Sequence, residues 1–199
     1  PRPLEDSYMP AFLVGLGLAR SLAAVNEIPL WQISHQENHL EAGLWSAQGP
    51  DADRFLLLHA SGGTTDLLLA EKQTDSTYAL TQAGGSKDLH AGQFVDRVGV
   101  ALGLQFPAGA ALEQLAATAA DCIELPVAVR QGDVSLSGPA TAALRKIEAG
   151  ADPAALAAGV QYALAETFVR MIRNVAAQKE IFDVLLVGGV VSNAISAVI

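Results

Sequence analysis

Apolar residues recur along this chain in runs whose period switches between that of a helix and that of a strand. Residues 10–25 form an Ala- and Leu-rich stretch interrupted by Arg20 and read as a helix. Residues 28–33 are a short strand-like run, Ser34 stands where a helix cap belongs, and Leu40, Leu44 and Trp45 continue a helical face. Residues 49–53, with Gly49, Pro50 and two aspartates, are a turn. Residues 54–60 and 66–71 flank Ser61-Gly62-Gly63-Thr64-Thr65 and read as a β-hairpin, with residues 78–82 as a third strand. Helices are expected at 90–103, 109–120 and 141–148, and an extended stretch at 133–138. Asp152 is placed to cap a long helix over 153–179 that begins with Pro153. Residues 182–187 are a buried-type strand ending in Gly188-Gly189, and a further helix is expected near Asn193. Hairpin, crossover helices and central strands together predict an α/β fold.

Composition narrows the function. The chain has 199 residues and ample length for a core. Its formal net charge of -9 argues against a nucleic-acid surface carried wholly by these residues, because phosphate binding needs clustered Lys and Arg. A nucleic-acid substrate would need basic surface from elsewhere. Cys122 is the single cysteine, so no internal disulfide can form and a reducing cytoplasm is expected. No segment reads as a membrane span or signal peptide. The chain opens at Pro1 without Met and closes at Ile199 inside an expected helix, which reads as a piece of a longer protein.

Three short segments carry candidate chemistry. His35 and His39 lie four residues apart at the start of the expected helix, on one face and one turn apart, where two imidazoles can reach one metal ion. The same spacing is compatible with ordinary surface or core histidines. A zinc-protease helix would carry Glu directly after the first His, but Gln36 stands there, and Glu37 lies about 100° further round the helix. Ser61-Gly62-Gly63-Thr64-Thr65 at a hairpin tip and Gly188-Gly189 between strand and helix let backbone N–H groups approach an anion. Either pair alone is also what an ordinary tight turn would show. No Lys occupies the Walker position, so neither is a P-loop.

Read in order, SHQENHL, LHASGGTTDL, DLHAGQFVDR, LGLQFPAGA, VSLSGPAT and VGGVVSN follow the pattern HHxEGHL, LVSGGHTQL, DDAAGEAFDK, LGLxYPGGP, FSFSGLKT and AGGVxAN. The chain thereby resembles the tRNA threonylcarbamoyladenosine transferase family, historically labelled O-sialoglycoprotein endopeptidase or glycoprotease. The resemblance implies an actin-like ATPase fold, incomplete at both ends. Residues 1–53 would end a first subdomain with the metal-binding helix, and 54–199 would form a truncated second subdomain with a helical insertion. It implies one divalent metal, iron or zinc, held by His35 and His39. ATP or threonylcarbamoyl-AMP would be cradled by His59, Ala60, Ser61, Gly62 and Gly63, with Asp96, Gly109 and Asn193 contributing and Gly188-Gly189 facing them. Asp96 also fits a helix-surface acid, and Asn193 a helix cap. The implied partners are tRNA and the proteins of a modification complex, in a homo- or heterodimer without a membrane. The implied reaction moves threonylcarbamoyl from its adenylate to a tRNA adenosine and needs no covalent nucleophile, which leaves Cys122 structural.

The pattern also breaks. Ser34 replaces a His, Asn38 a Gly, Thr64 the loop His, Asp66 a Gln, Gln93 the AAGE acid, and Ala140 the SGLKT lysine after Pro139. The family's first phosphate hairpin and its third ligand, an Asp, fall outside these residues, so the fragment alone is expected to be inactive. Alternatives are a non-catalytic nucleotide-binding relative and a metallo-endopeptidase of the older label. The Ala-rich face of residues 11–24 suits either core or a partner helix, and core is the preferred reading.

Overall fold

The computed structural model describes residues 10–191, with side chains from residue 13 onward. They divide between Asn38 and His39 into two units. In the first, α1 (Pro10–Val25) forms where its apolar run predicts. Leu13, Val14, Leu18, Leu22 and Val25 are exposed, so the expectation that this helix packs as core is not met. Residues 28–33 are irregular rather than a strand. An apolar run becomes a strand only when a neighbour accepts its ladder, and none pairs with it among the described residues.

The second unit is built on one mixed sheet. β1 (Arg54–Ala60), β2 (Thr65–Lys72), β3 (Tyr78–Ser86), β4 (Ala128–Arg130), β5 (Asp133–Ser135) and β6 (Val184–Val187) stand in the order β4-β5-β3-β2-β1-β6. β1 and β2 form the expected hairpin, and β6 runs parallel to β1. The third strand runs past its expected end at Gln82 because a bulge absorbs Ala83 and the ladder continues through Gly84 and Gly85. Gly84 admits the neighbouring backbone: a Cβ there would stand 2.0 Å from the Gly132 carbonyl oxygen.

Both faces of the sheet are covered, as the unbroken burial of β1 requires. One face, with Leu56, Leu58, Ala60, Leu67 and Leu69, packs against α3 (Ala91–Ala101), α4 (Gly109–Ala116), α5 (Ser137–Glu148) and α6 (Pro153–Lys179). The other face, with Phe55, Leu57, Leu68, Ala70, Leu185 and Val187, packs against Leu40 of α2 (His35–Ala47). Gly43 lets that helix sit close, since a Cβ there would lie 2.6 Å from Val187 Cγ1. The long α6 starts as read: Asp152 Oδ2 accepts from the Ala155 N–H at 2.8 Å, with Pro153 next. Among the described residues no helix is long and apolar enough to cross a membrane.

Candidate functional site

The histidine helix is fixed at its first turn. Glu37 N–H donates to Ser34 Oγ at 3.2 Å, and Glu37 Oε2 accepts from Ser34 N–H at 2.5 Å, which is a capping box. The Ser34 N–H, with the Ser34 hydroxyl beside it, holds the Glu37 carboxyl below its ordinary value. Glu37 is thus engaged at the helix start. His35 opens α2, and His39 follows one turn later on the same face.

His39 meets a partner that the motif pattern places elsewhere. His59, fully buried in β1, stacks on it with ring centroids 4.1 Å apart, and a ring nitrogen of each lies within 4.8 Å of the other. Two imidazolium charges would repel strongly at that separation, whereas two neutral imidazoles offer nitrogen donors suited to zinc or iron. The motif assigns His59 to the nucleotide cradle. The strand instead buries it against α2.

The glycine loops converge on the other side of β1. The hairpin loop is closed by Ser61 N–H donating to the Thr64 carbonyl at 2.8 Å, and the start of α3 is pinned to it. There Ala91 N–H donates to Thr65 Oγ1 at 2.8 Å and Gly92 N–H to the Ser61 carbonyl at 3.1 Å. Gly92 is obligatory for this approach, because a Cβ there would stand 2.6 Å from Gly62 Cα. Gly188, at φ +104°, would place a Cβ 2.3 Å from the Ala60 carbonyl oxygen, which also accepts from Val190 N–H at 3.1 Å. Both loops are therefore stapled to one strand end.

Between them opens a cleft of about 360 Å³. Gly62, Asp96, Gly109 and Gly189, four of the residues expected at the nucleotide site, line it together with Gly92 and Glu113. A Cβ on Gly62, Gly109 or Gly189 would meet nothing within 4 Å, so their backbones border open space. Asp96 Oδ1 accepts from Ala108 N–H at 2.7 Å and braces the turn that carries Gly109. Ser61, Gly63 and Gly188 belong to the two loops, while buried Ala60 contributes no side chain to the cleft lining. Asn193 lies outside the described residues. Glu113 was not anticipated, although it stands one helical turn after Gly109 on α4.

The broken motif positions acquire local explanations. Gln93 Oε1 accepts from His90 N–H at 3.1 Å, a capping role that Gln fills as well as Glu does. Ala140 is fully buried on α5, where a lysine would face the core. Asp88 latches the loop before α3 to the start of α5: its carboxylate accepts from Ser135 Oγ at 2.6 Å, Leu136 N–H at 2.9 Å and both donors of Ser137. Partial burial opposes ionisation of Asp88, but those hydroxyls, with the Leu136 and Leu89 N–H groups, outweigh it and hold the carboxyl far below the usual carboxylate range. Asp66 shifts the other way, since burial raises it while the positive fields of His90 and Lys87 pull it back.

The family profile for the tRNA N6-adenosine threonylcarbamoyltransferases, TsaD, matches residues 8–197. The chain belongs to this family. It is 36% identical over 186 residues to the tRNA N6-adenosine threonylcarbamoyltransferase of Methanopyrus kandleri, covering 92% of the chain and 52% of the relative. It is 37% identical to the enzyme of that name from Thermus thermophilus, over 92% of the chain and 55% of the relative. A probable bifunctional tRNA threonylcarbamoyladenosine biosynthesis protein of Methanothermobacter thermautotrophicus is 34% identical, with 92% and 33% covered. The chain thus spans about half the length of the threonylcarbamoyltransferases it matches. Among solved structures, component A of the Acidaminococcus fermentans (R)-2-hydroxyglutaryl-CoA dehydratase superposes with a TM-score of 0.54 at 17% identity, covering 88% of this chain and 61% of that one. That likeness shows the fold, which is the actin-like ATPase fold expected of the threonylcarbamoyltransferase family.

Proposed function

We propose that these residues form the metal- and nucleotide-binding part of a transferase that moves threonylcarbamoyl from its adenylate to a tRNA adenosine. The observation that carries this reading is the cleft where Gly62, Asp96, Gly109 and Gly189, from four separate segments, meet beside the strand that buries His59. His39 and His59, with His35 one turn earlier on α2, would hold a divalent iron or zinc ion; the donor set of neutral imidazoles fits it. When bound, that ion supplies Lewis-acid stabilisation of negative charge on the carbamoyl group as AMP leaves. The chain's own part is positioning. Backbone N–H groups of the Gly62 and Gly189 loops bind the phosphate, and the Asp96 carboxylate accepts from a ribose hydroxyl. His59 contributes to the metal side of the site, while the cradle itself rests on Ser61, Gly62 and Gly63.

tRNA and the partner proteins of the modification machinery belong to this proposal, as does a cytoplasmic location, where unmodified tRNA is met. A second reading, a nucleotide-binding relative that has given up transfer, is favoured by buried Ala140, which leaves no basic group where the family pattern has one. Peptide hydrolysis is the weaker reading, because Glu37 is engaged with Ser34 and not poised as a base.

The test is transfer of labelled threonylcarbamoyl to unmodified tRNA by the full-length gene product with its partner proteins. Activity in the wild type that is lost in the His35→Ala/His39→Ala variant is the expected result. No transfer, with another family member active under the same conditions, would leave the second reading standing.

A further inference from the structure

Asp88 precedes α3 and is not among the residues that line the cleft, yet both of its carboxylate oxygens are engaged. Oδ1 accepts from Leu89 N–H at 2.6 Å and from Leu136 N–H at 2.9 Å. Oδ2 accepts from Ser135 Oγ at 2.6 Å, from Ser137 N–H at 3.2 Å and from the Ser137 hydroxyl. Lys87 N–H donating to the Val134 carbonyl at 3.1 Å, and Ser86 Oγ donating to the Leu89 carbonyl at 2.6 Å, hold the same segment from either side. That segment is the one that enters the site. Ala91 and Gly92 bond to the hairpin loop through Thr65 Oγ1 and the Ser61 carbonyl, and Gly92 and Asp96 line the cleft. The first turn of α3 is therefore clamped between two neighbours, the hairpin loop through backbone and the start of α5 through Asp88.

Groups that bind and orient a ligand must stand within about 0.5 Å of their working positions. An Asn at Asp88 would keep the shape of the side chain but exchange one acceptor oxygen for an NH2 donor. Whichever way the amide turns, that NH2 meets a backbone N–H, of Leu136 on one side or of Ser137 on the other. A backbone N–H cannot rotate to accept, so residues 88–92 must move, and the helix carries the displacement on to Asp96. We propose that Asp88 is a positioning residue of the nucleotide cleft, setting α3 against α5 so that Gly92 meets the hairpin loop and Asp96 faces the bound ligand. It acts through α3 and touches no ligand itself. The assignment rests on the nucleotide-binding reading above and deepens it.

The experiment is calorimetric titration of the full-length protein with a non-reactive threonylcarbamoyl-adenylate analogue, with urea denaturation of each variant alongside. Wild type, Asp88→Asn and Ser137→Ala are compared with Asp152→Ala, which removes the α6 cap and so lowers stability away from the cleft. Asp88→Asn is expected to weaken the analogue about 10- to 100-fold. Ser137→Ala, which removes one donor and keeps the carboxylate, should weaken it less. Asp152→Ala should bind like wild type despite its lower stability. If Asp88→Asn binds like wild type, or if Asp152→Ala weakens binding as much, Asp88 contributes stability alone and the nucleotide reading survives without it. If wild type does not bind the analogue, both fall together.

Discussion

At the scale of single residues, side-chain hydrogen bonds pin the starts of the helices. Gln93 Oε1 accepts from the His90 N–H, and Glu37 caps the start of the helix that carries His35 and His39. The tightest such site is Asp88, which gathers donors from Ser135, Leu136 and Ser137. Its carboxyl is depressed in the folded state, so the ionised form favours folding above the unfolded value of about 4. That contribution is lost as pH falls through the lower folded-state value. Asp88→Asn should therefore cost about 1 kcal/mol at pH 7, a figure kept small because the group is solvent-screened. Urea titrations from pH 7 downward should show the gap between variant and wild type closing below about pH 4.

Elements follow from different residues. α6 begins and ends where its sequence says, because Asp152 and Pro153 fix one end and Glu180, at φ 56°, turns out of the helix at the other. The union of α3 with the glycine loop depends instead on bare backbone. Gly92 approaches Gly62 and Ser61 so closely that a methyl group would meet main-chain atoms unable to swing aside. Gly92→Ala is expected to destabilise by about 1–3 kcal/mol and to weaken binding of a non-reactive threonylcarbamoyl-adenylate analogue. Denaturation midpoints and calorimetric titration of the full-length protein check the two effects separately. Unchanged affinity would show that the loop tolerates displacement.

For the whole chain, charge and burial set different limits. A formal charge of -9 argues against a tRNA backbone held wholly by these residues, so basic surface for the proposed reaction is expected from elsewhere. The 199-residue chain is expected to retain no tRNA in filter binding at about 150 mM salt, whereas the full assembly retains it with a steep loss as salt rises. Retention by this chain alone would overturn that division of labour. The cleft adds no basic group either: among the described residues it is lined by four glycines, by Val95, Pro107, Ala110 and Val190, and by two acids, Asp96 and Glu113.

The capped histidine helix, the β1–β2 hairpin and α6 were legible from sequence, because each depends on period, caps and turns that act within a few residues, whereas β4 (Ala128–Arg130) was not read. The glycine motifs were legible as loops, since backbone freedom is written into residue type. What the loops face was not. The convergence of Gly62, Asp96, Gly109 and Gly189 on one cleft follows from β6 pairing parallel with β1 and from α3 docking on the hairpin tip, both long-range contacts. Residues 28–33 failed as a strand for the same reason, since apolar sequence cannot supply its own ladder partner. His59 reads as part of a phosphate cradle because it precedes the glycines, and only the alternation of β1 against α2 turns it toward His39. Local chemistry is set by neighbours in the chain. Which chemical groups share a site is set by strand register, and register is decided when the sheet packs.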